Sequence, residues 1–112
     1  MIDSKWLSQI RRGLLELCVL NLLAKESMCG YHIVKRLTSV PGLVTSAGTI
    51  YPLLSRLKRE GLLASSLVES TQGPARRNYV LTSAGRRHLS KLNDAWQEIA
   101  QSVQSMIKES SP

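Results

Sequence analysis

The sequence of 112 residues has no phenylalanine, only two cysteines and only two histidines. Two thiols are too few for a disulfide framework, and with only His32 and His88 as further soft ligands the sequence shows no zinc-site pattern. We therefore expect no metal site and no cofactor. Cys18 and Cys29 are interpreted as small apolar residues in a reducing compartment. Because only two tryptophans and three tyrosines are present, the core has to consist mainly of Leu, Ile and Val.

The sequence also lacks a hydrophobic run that is long enough to cross a bilayer. Its most apolar stretch, Gly13–Ala24, loosely resembles the core of a secretory signal. Glu16 and Asn21 interrupt this stretch, however, and no small-residue cleavage site follows it. The stretch therefore predicts a buried helix in a cytoplasmic protein that has no membrane partner.

Negative charge is scarce, because eight Asp and Glu residues stand against fifteen Lys and Arg residues, for a formal net charge of +7. A hydrophobic content of 43% is sufficient for one folded domain. The segment from Arg56 to Lys91 holds eight cations and two acidic residues, so it carries +6 of the net charge. A small, folded and strongly basic protein indicates an acidic partner, most often nucleic acid.

The hydrophobic pattern predicts three helices, a β-hairpin and a long last helix. The third helix starts at the N-cap Ser46 and ends before Gly61, which stands where a glycine commonly terminates a helix. A turn-rich segment, Ser70–Ala75, separates the two predicted strands. Tyr31 and Tyr79 are expected in the core. The other predicted elements are helices at Trp6–Ala24, Gly30–Ser39 and Ser83–Lys108, and strands at Leu62–Glu69 and Arg76–Leu81.

The last helix carries an apolar residue at every third or fourth position, which is typical of a helix that packs lengthwise on another helix. At 1.5 Å per residue its length is roughly 39 Å, more than a small domain can cover. A second copy of the chain is the simplest partner, so we predict a homodimer. The predicted interface residues are Leu89, Leu92, Trp96, Ile99, Val103 and Met106.

This order of elements describes a winged helix-turn-helix fold, mainly α-helical with a small β-hairpin. Residues 1–82 are expected to form the DNA-binding domain and residues 83–112 a C-terminal dimerisation helix. In this architecture the third helix enters the major groove of double-stranded DNA, and the hairpin touches the flanking backbone. A proline inside the third helix breaks a local rule, which marks Tyr51–Pro52 as a contact candidate. The predicted DNA-binding residues are Ser46, Thr49, Tyr51, Pro52, Ser55, Arg56, Arg59, Arg76 and Arg77.

Two runs of the sequence are specific. One is Gly-Thr-Ile-Tyr-Pro-Leu-Leu from Gly48 to Leu54, and the other is Tyr-Val-Leu-Thr from Tyr79 to Thr82, with Gly85 three residues further on. With several less specific runs they cover nearly the whole chain, and they resemble the PadR family of transcriptional regulators. Asn78 departs from the pattern, because the family often has a second aromatic residue there. The resemblance implies a homodimeric repressor that binds an inverted-repeat (palindromic) operator and is released by a small molecule.

The single long helix at the end of the chain is similar to the compact branch of that family. In this branch a tryptophan of the last helix meets its two-fold mate across a flat apolar pore that binds planar drug-like compounds. The resemblance therefore makes Trp96 a candidate ligand-binding residue for a small planar aromatic effector. The alternative for Trp96 is a bulky residue that only packs the dimer interface.

Other function classes receive less support from the sequence. In the sequence, Lys and Arg rather than carboxylates stand beside the two histidines, and no nucleophile elbow or glycine-rich phosphate loop is present, so no sequence motif indicates an enzyme. A winged-helix interaction module without a ligand response is the alternative function, because winged helices also bind proteins or RNA.

Overall fold

The computed structural model describes residues 4–69 and 73–110. The predicted helices and both predicted strands are confirmed, with ends that shift by no more than two residues. Residues 70–72 of the predicted turn segment lie outside the described residues. The helices are α1 (Ser4–Lys25), α2 (Gly30–Thr38), α3 (Ala47–Arg59) and α4 (Ser83–Ser110), and the strands are β1 (Met28–Cys29), β2 (Leu63–Val68) and β3 (Arg76–Leu81).

The sheet contains a strand that the sequence analysis did not predict. β1 pairs antiparallel with β3, with Met28 opposite Tyr79 and Cys29 opposite Asn78, and the strand order is β1-β3-β2. A strand of two residues is too short to show an alternation of polar and apolar side chains. We call the β2–β3 hairpin the wing. The pairing of β1 with β3 holds the beginning of α2 beside it.

The core consists mainly of aliphatic side chains from α1, α2 and α3, as the composition predicts. Tyr79 of β3 is buried, which confirms its predicted position. The prediction for Tyr31 is wrong, because 51% of this residue is exposed. At about 100° per helical residue, Tyr31 stands about 200° around α2 from the buried Ile33. It therefore faces the wing rather than the core.

The end of α3 and the start of α4 are tied together by hydrogen bonds. Gly61 adopts the left-handed conformation (φ +78°). The N–H groups of Gly61 and Leu62 donate to the carbonyl oxygens of Lys58 and Leu57, both at 3.0 Å, which terminates α3. Thr82 caps α4, because its Oγ1 accepts a hydrogen bond from the Gly85 N–H at 2.9 Å. The same hydroxyl donates to the Gly61 carbonyl oxygen at 2.7 Å.

The two halves of α4 have different surroundings. The first half packs on α1, where the side-chain amides of Asn21 and Asn93 donate to each other at 2.9 and 3.0 Å. Gly85 and Leu89 are buried in the core, and Leu92 packs against it. The division into residues 1–82 and 83–112 stays a prediction, but the first turns of α4 share the core of the preceding elements.

The second half of α4 presents an apolar stripe to solvent. Within the single chain the stripe residues are between 43% and 66% exposed. They recur at helical spacing on one face of a helix of 28 residues, about 42 Å in length. The stripe consists of Trp96, Ile99, Val103 and Met106. Among the described residues, no helix combines the length and apolarity that a bilayer crossing requires.

Replacement of Gly85 by Ala is expected to lower the free energy of unfolding by about 1–3 kcal/mol. A Cβ atom at this position would collide with the Leu62 carbonyl oxygen and lie 2.6 Å from Leu81 Cδ1. Gly13→Ala is the matched control, because a Cβ on Gly13 meets nothing within 4 Å. Gly13 lies inside α1, so this variant should gain about 0.5–1 kcal/mol.

Urea unfolding of all three proteins at one protein concentration measures both effects. A G85A variant as stable as the G13A variant would contradict the close helix–strand crossing that the structure shows.

Candidate nucleic-acid interface

The exposed face of α3 is set by the burial of its other face. Ile50, Leu54 and Leu57 are fully buried. At about 100° per residue, the opposite side of the helix is occupied by Gly48, Pro52, Ser55 and Arg59. All four are exposed, and α3 contains no acidic residue. The exposed face of α3 is therefore accessible, free of negative charge and marked by one cation, Arg59.

Pro52 is the sixth residue of α3 and interrupts its backbone hydrogen bonding. Proline has no N–H, so the bond that residue 52 would donate to the Gly48 carbonyl oxygen cannot form. Both residues lie on the exposed face, where a carbonyl oxygen can bond to water or to a ligand. The proline thus alters the backbone on the side of the helix that faces away from the core.

A basic cleft borders the exposed face on the side of α1. Its volume is about 600 Å³, and four arginines line it together with Thr45 and Thr49. Val44, at its edge, has φ +45°, a left-handed conformation that is strained for a β-branched residue. The buried Thr45 Oγ1 has no hydrogen-bond partner among the described residues. The four arginines are Arg11, Arg12, Arg56 and Arg59.

Arg56 in this cleft is held by two carboxylates of its own chain. Its Nη2 lies 2.6 Å from Glu16 Oε1, and its Nη1 lies 3.0 and 3.2 Å from the two oxygens of Glu60. The hydrogen bond with Glu16 makes the largest contribution to raising the pKa of Arg56, and Glu60 adds to it. Because His88 Nε2 lies 3.7 Å from Glu16 Oε2, the cluster joins α1, α3 and α4. A DNA phosphate at Arg56 would have to compete with these carboxylates.

The other flank of α3 faces the wing. The Tyr51 ring packs directly on Gly30, where an added Cβ would lie 2.8 Å from Tyr51 Cε1. Arg76 and Arg77 of β3 are both exposed, and Arg77 Nη1 donates to Ser65 Oγ at 3.0 Å. Burial raises the pKa of the Tyr79 phenol beneath them, although the charge of Arg77 acts in the opposite direction.

The structure brings most of the predicted DNA-binding residues to one side of the molecule. Tyr51 and the two wing arginines line one cavity, and Thr49, Pro52, Arg56 and Arg59 line the basic cleft. Ser46 stands at the N-cap of α3, where its Oγ lies 3.5 Å from Thr49 Oγ1 and makes no cap hydrogen bond.

Three residues that line these surfaces, one aromatic and two cationic, were not predicted from the sequence. Tyr31 was expected in the core, and Arg11 and Arg12 were not among the predicted DNA-binding residues. The available signal was the spacing of Arg12 and Glu16, four residues apart on α1. This spacing places Arg12 on the side of α1 that contacts α3, because residues four apart share a helix face.

Trp96 lies away from these surfaces, in a cleft between α1, α2 and α4. The cleft has a volume of about 540 Å³, and Leu17, Leu22 and Asn93 are among its lining residues. Cys18 also lines it as a free thiol, and partial burial raises its pKa. Leu89 and Leu92 were predicted as interface residues, but Leu89 is buried in the core of the chain itself and Leu92 is partly buried against that core.

Comparisons with known proteins agree with this architecture. Residues 19–91 match the family described as the transcriptional regulator PadR-like family. The chain is 36% identical over 95 residues to the transcriptional regulator Rv3488 of Mycobacterium tuberculosis, across 85% of this chain and 87% of that protein.

Two solved structures are also similar to this chain. A PadR-like transcription factor from Bacteroides fragilis is 41% identical, with a TM-score of 0.75, over 93% of this chain and 99% of that one. A PadR-like transcriptional regulator from Bacillus cereus is 31% identical, with a TM-score of 0.80, over 88% of this chain and 96% of that one. The expected winged-helix fold with a long C-terminal helix is confirmed.

Replacement of Glu16 by Gln is expected to lower the free energy of unfolding by about 1 kcal/mol, because the ion pair with Arg56 is lost. The loss is no larger because solvent screens the partly exposed Arg56. The matched control is Glu60→Gln, whose carboxylate binds the same guanidinium but is 46% exposed, against 22% for Glu16. This control should cost only about 0.3–0.5 kcal/mol. Urea unfolding at equal protein concentration measures both values, and equal costs would contradict a special role for Glu16.

Proposed function

Because the chain belongs to the PadR-like family of transcriptional regulators, we propose that it is a homodimeric cytoplasmic repressor that binds an inverted-repeat operator. The family and the relatives named above are regulators of transcription and not enzymes. The observation that carries the proposal is the exposed face of α3, which is free of acidic side chains and lies between two arginine-lined flanks.

On this proposal α3 occupies the major groove of double-stranded DNA. Ser55 and Arg59 project from the centre of its exposed face, where they can reach base edges, and an arginine there suits a guanine. Pro52 lies beside them and offers an apolar contact. The free N–H groups at the start of α3, with Ser46 and Thr49, favour a backbone phosphate.

The wing contributes to position rather than to sequence choice. Arg76 and Arg77 are exposed on β3 and can bind phosphates or enter the minor groove next to α3. Arg56 is assigned a different role in DNA binding. We propose that it contacts DNA from the edge of the groove while Glu16 and Glu60 hold its guanidinium in place.

The homodimer is supported by the apolar stripe of α4. Trp96, Ile99, Val103 and Met106 stand exposed at helical spacing, and a second copy of α4 would bury them. A two-fold axis along this contact would present two α3 helices to one face of the duplex. Successive major-groove segments on one face are separated by one helical turn, roughly 34 Å.

We propose that a planar aromatic effector binds at Trp96 and releases the DNA. Trp96 is 43% exposed, and its indole lies at the end of the apolar stripe next to a cleft. Two indoles related by the dimer axis could stack on the faces of a flat ligand. Ligand bound there would change the spacing of the two α3 helices and so lower the affinity for the operator.

One observation favours the alternative of a protein-interaction module. The wing exposes the apolar side chains of Leu67, Val68 and Val80, which DNA phosphates do not bind. On this alternative the wing packs against another protein, and the chain has no ligand response.

The decisive experiment is to sequence the DNA that the pure protein retains from a library of random duplexes. We expect a two-fold symmetric motif with half-site centres roughly 34 Å apart. Analytical ultracentrifugation of the free protein should give a species of two chains. A scrambled duplex of the same composition serves as the control, and equal retention of both duplexes by a monomer would contradict the proposal.

Tryptophan fluorescence tests the effector site with proflavine as a planar aromatic cation. The chain has two tryptophans, so a Trp6→Phe variant reports on Trp96 alone and should lose a larger fraction of its emission than the unaltered protein. A Trp96→Phe variant, which reports on Trp6 alone, should show little quenching, and the unaltered protein should fall between the two variants in the fraction of its emission that is quenched. Full quenching of the second variant would remove Trp96 from the effector site.

A further inference from the structure

Tyr31 is an exposed aromatic residue on which two cations converge. The Arg76 guanidinium lies 5.2 Å from the centre of its ring, and Lys35 Nζ lies 5.4 Å from the same centre. Both distances are within the range of a cation–π interaction. The ring therefore links α2 to the wing and restricts the position of Arg76, which would otherwise be a long and mobile side chain.

Tyr51 of α3 is also held in position, by packing against α2. Its ring rests on Gly30, the first residue of α2, and any larger residue there would meet the ring. The close contact directs the phenol of Tyr51 towards the wing. Because α2, α3 and the wing each supply one side of the same space, none of them forms the site alone.

The space that these residues enclose is a cavity of about 200 Å³. It is smaller than the pockets of about 300–1,000 Å³ that hold drug-sized ligands. Among the described residues, two guanidinium groups and three phenols line it and no carboxylate does. Guanidinium groups and hydroxyls are hydrogen-bond donors to anionic oxygens, and paired arginine N–H groups match the oxygens of a phosphate.

The cavity also lies in the right place for a DNA backbone. It borders the exposed face of α3 on the side opposite the basic cleft. When α3 lies in the major groove, the cavity is therefore next to the backbone of one of the two DNA strands. The helix that precedes the recognition helix crosses the backbone in this class of fold, and here the cavity includes the first two residues of α2.

We propose that this cavity binds one phosphodiester of the DNA backbone in each half-site. Arg76, Arg77 and the Tyr51 hydroxyl contact the phosphate oxygens. Tyr31 is a positioning residue, because its ring holds the Arg76 guanidinium at the cavity. This inference rests on the proposed function, since it takes the ligand to be the operator duplex.

The test is a methylphosphonate scan of the duplex that the unaltered protein selects from the random library. One neutral methylphosphonate is placed at each backbone position in turn, and the affinity is measured for each duplex. With the unaltered protein we expect one position per half-site, at the wing side of α3, to lose about tenfold in affinity, the factor for one lost charge-assisted hydrogen bond.

Four variants connect that position to the cavity. Tyr31→Leu removes the ring and Arg76→Gln removes the charge, so each should bind the unmodified duplex about five- to tenfold more weakly and should show a smaller loss at that position, with the other positions unchanged. Tyr31→Phe keeps the ring and should behave as the unaltered protein within a factor of about two. Lys35→Gln is the charge-matched control for Arg76, because Lys35 does not line the cavity, and its scan should be unchanged.

The possible results separate this inference from the proposed function. If the unaltered protein selects a motif but the Y31L and R76Q scans equal its own scan, the phosphate site is wrong while the DNA-binding function stands. If Y31F loses as much as Y31L, the positioning role of the ring is wrong. A protein that selects no duplex overturns both. Thermal unfolding of each variant checks its fold, and R76Q, which changes an exposed residue, keeps the test valid if Y31L unfolds.

Discussion

The burial of one face of α3 determines what the molecule presents to its surroundings. Ile50, Leu54 and Leu57 are fully buried, and full burial of a side chain of this size contributes about 1.5–3 kcal/mol. A rotation of α3 about its axis would expose all three at once, so the orientation of its polar face is rigidly set. The Gly61 termination and its link to Thr82 then hold the end of α3 against the start of α4.

Around this fixed helix the two flanks use their arginines in different ways. On the α1 side, Glu16 and Glu60 bind Arg56, which joins α1 and α3 by a partly buried ion pair. On the wing side, the described residues that line the cavity include no carboxylate, and Arg76 is instead directed by the ring of Tyr31. Aromatic contact restrains a cation without neutralising it, and this leaves its charge available to an anionic partner.

α4 belongs to two environments. Its first turns complete the core of the preceding elements through Gly85 and Leu89, and its second half extends beyond them with an apolar stripe. The reciprocal amide pair of Asn21 and Asn93 lies where the core contacts end. A change in the direction of α4 at this point would move its far half relative to α3, which is the coupling that the proposed release by an effector needs.

Much of this architecture was determined by the sequence alone. Local signals in the sequence are sufficient to define the helices. They are the spacing of Ile50, Leu54 and Leu57, the N-cap residue Thr82 and the glycine at position 61. The positive net charge of the segment from Arg56 to Lys91 likewise follows directly from the sequence.

Tertiary structure decided which partners each side chain meets. β1 is two residues long and exists only because β3 is there to pair with it. Tyr31 left the predicted core because the wing folds back beside α2, and Leu89 joined the core because α4 crosses α1 before it extends. Arg56 meets Glu16 across 40 residues of sequence. Contacts between distant residues depend on how the elements pack, and a pattern read along the chain contains no information about that packing.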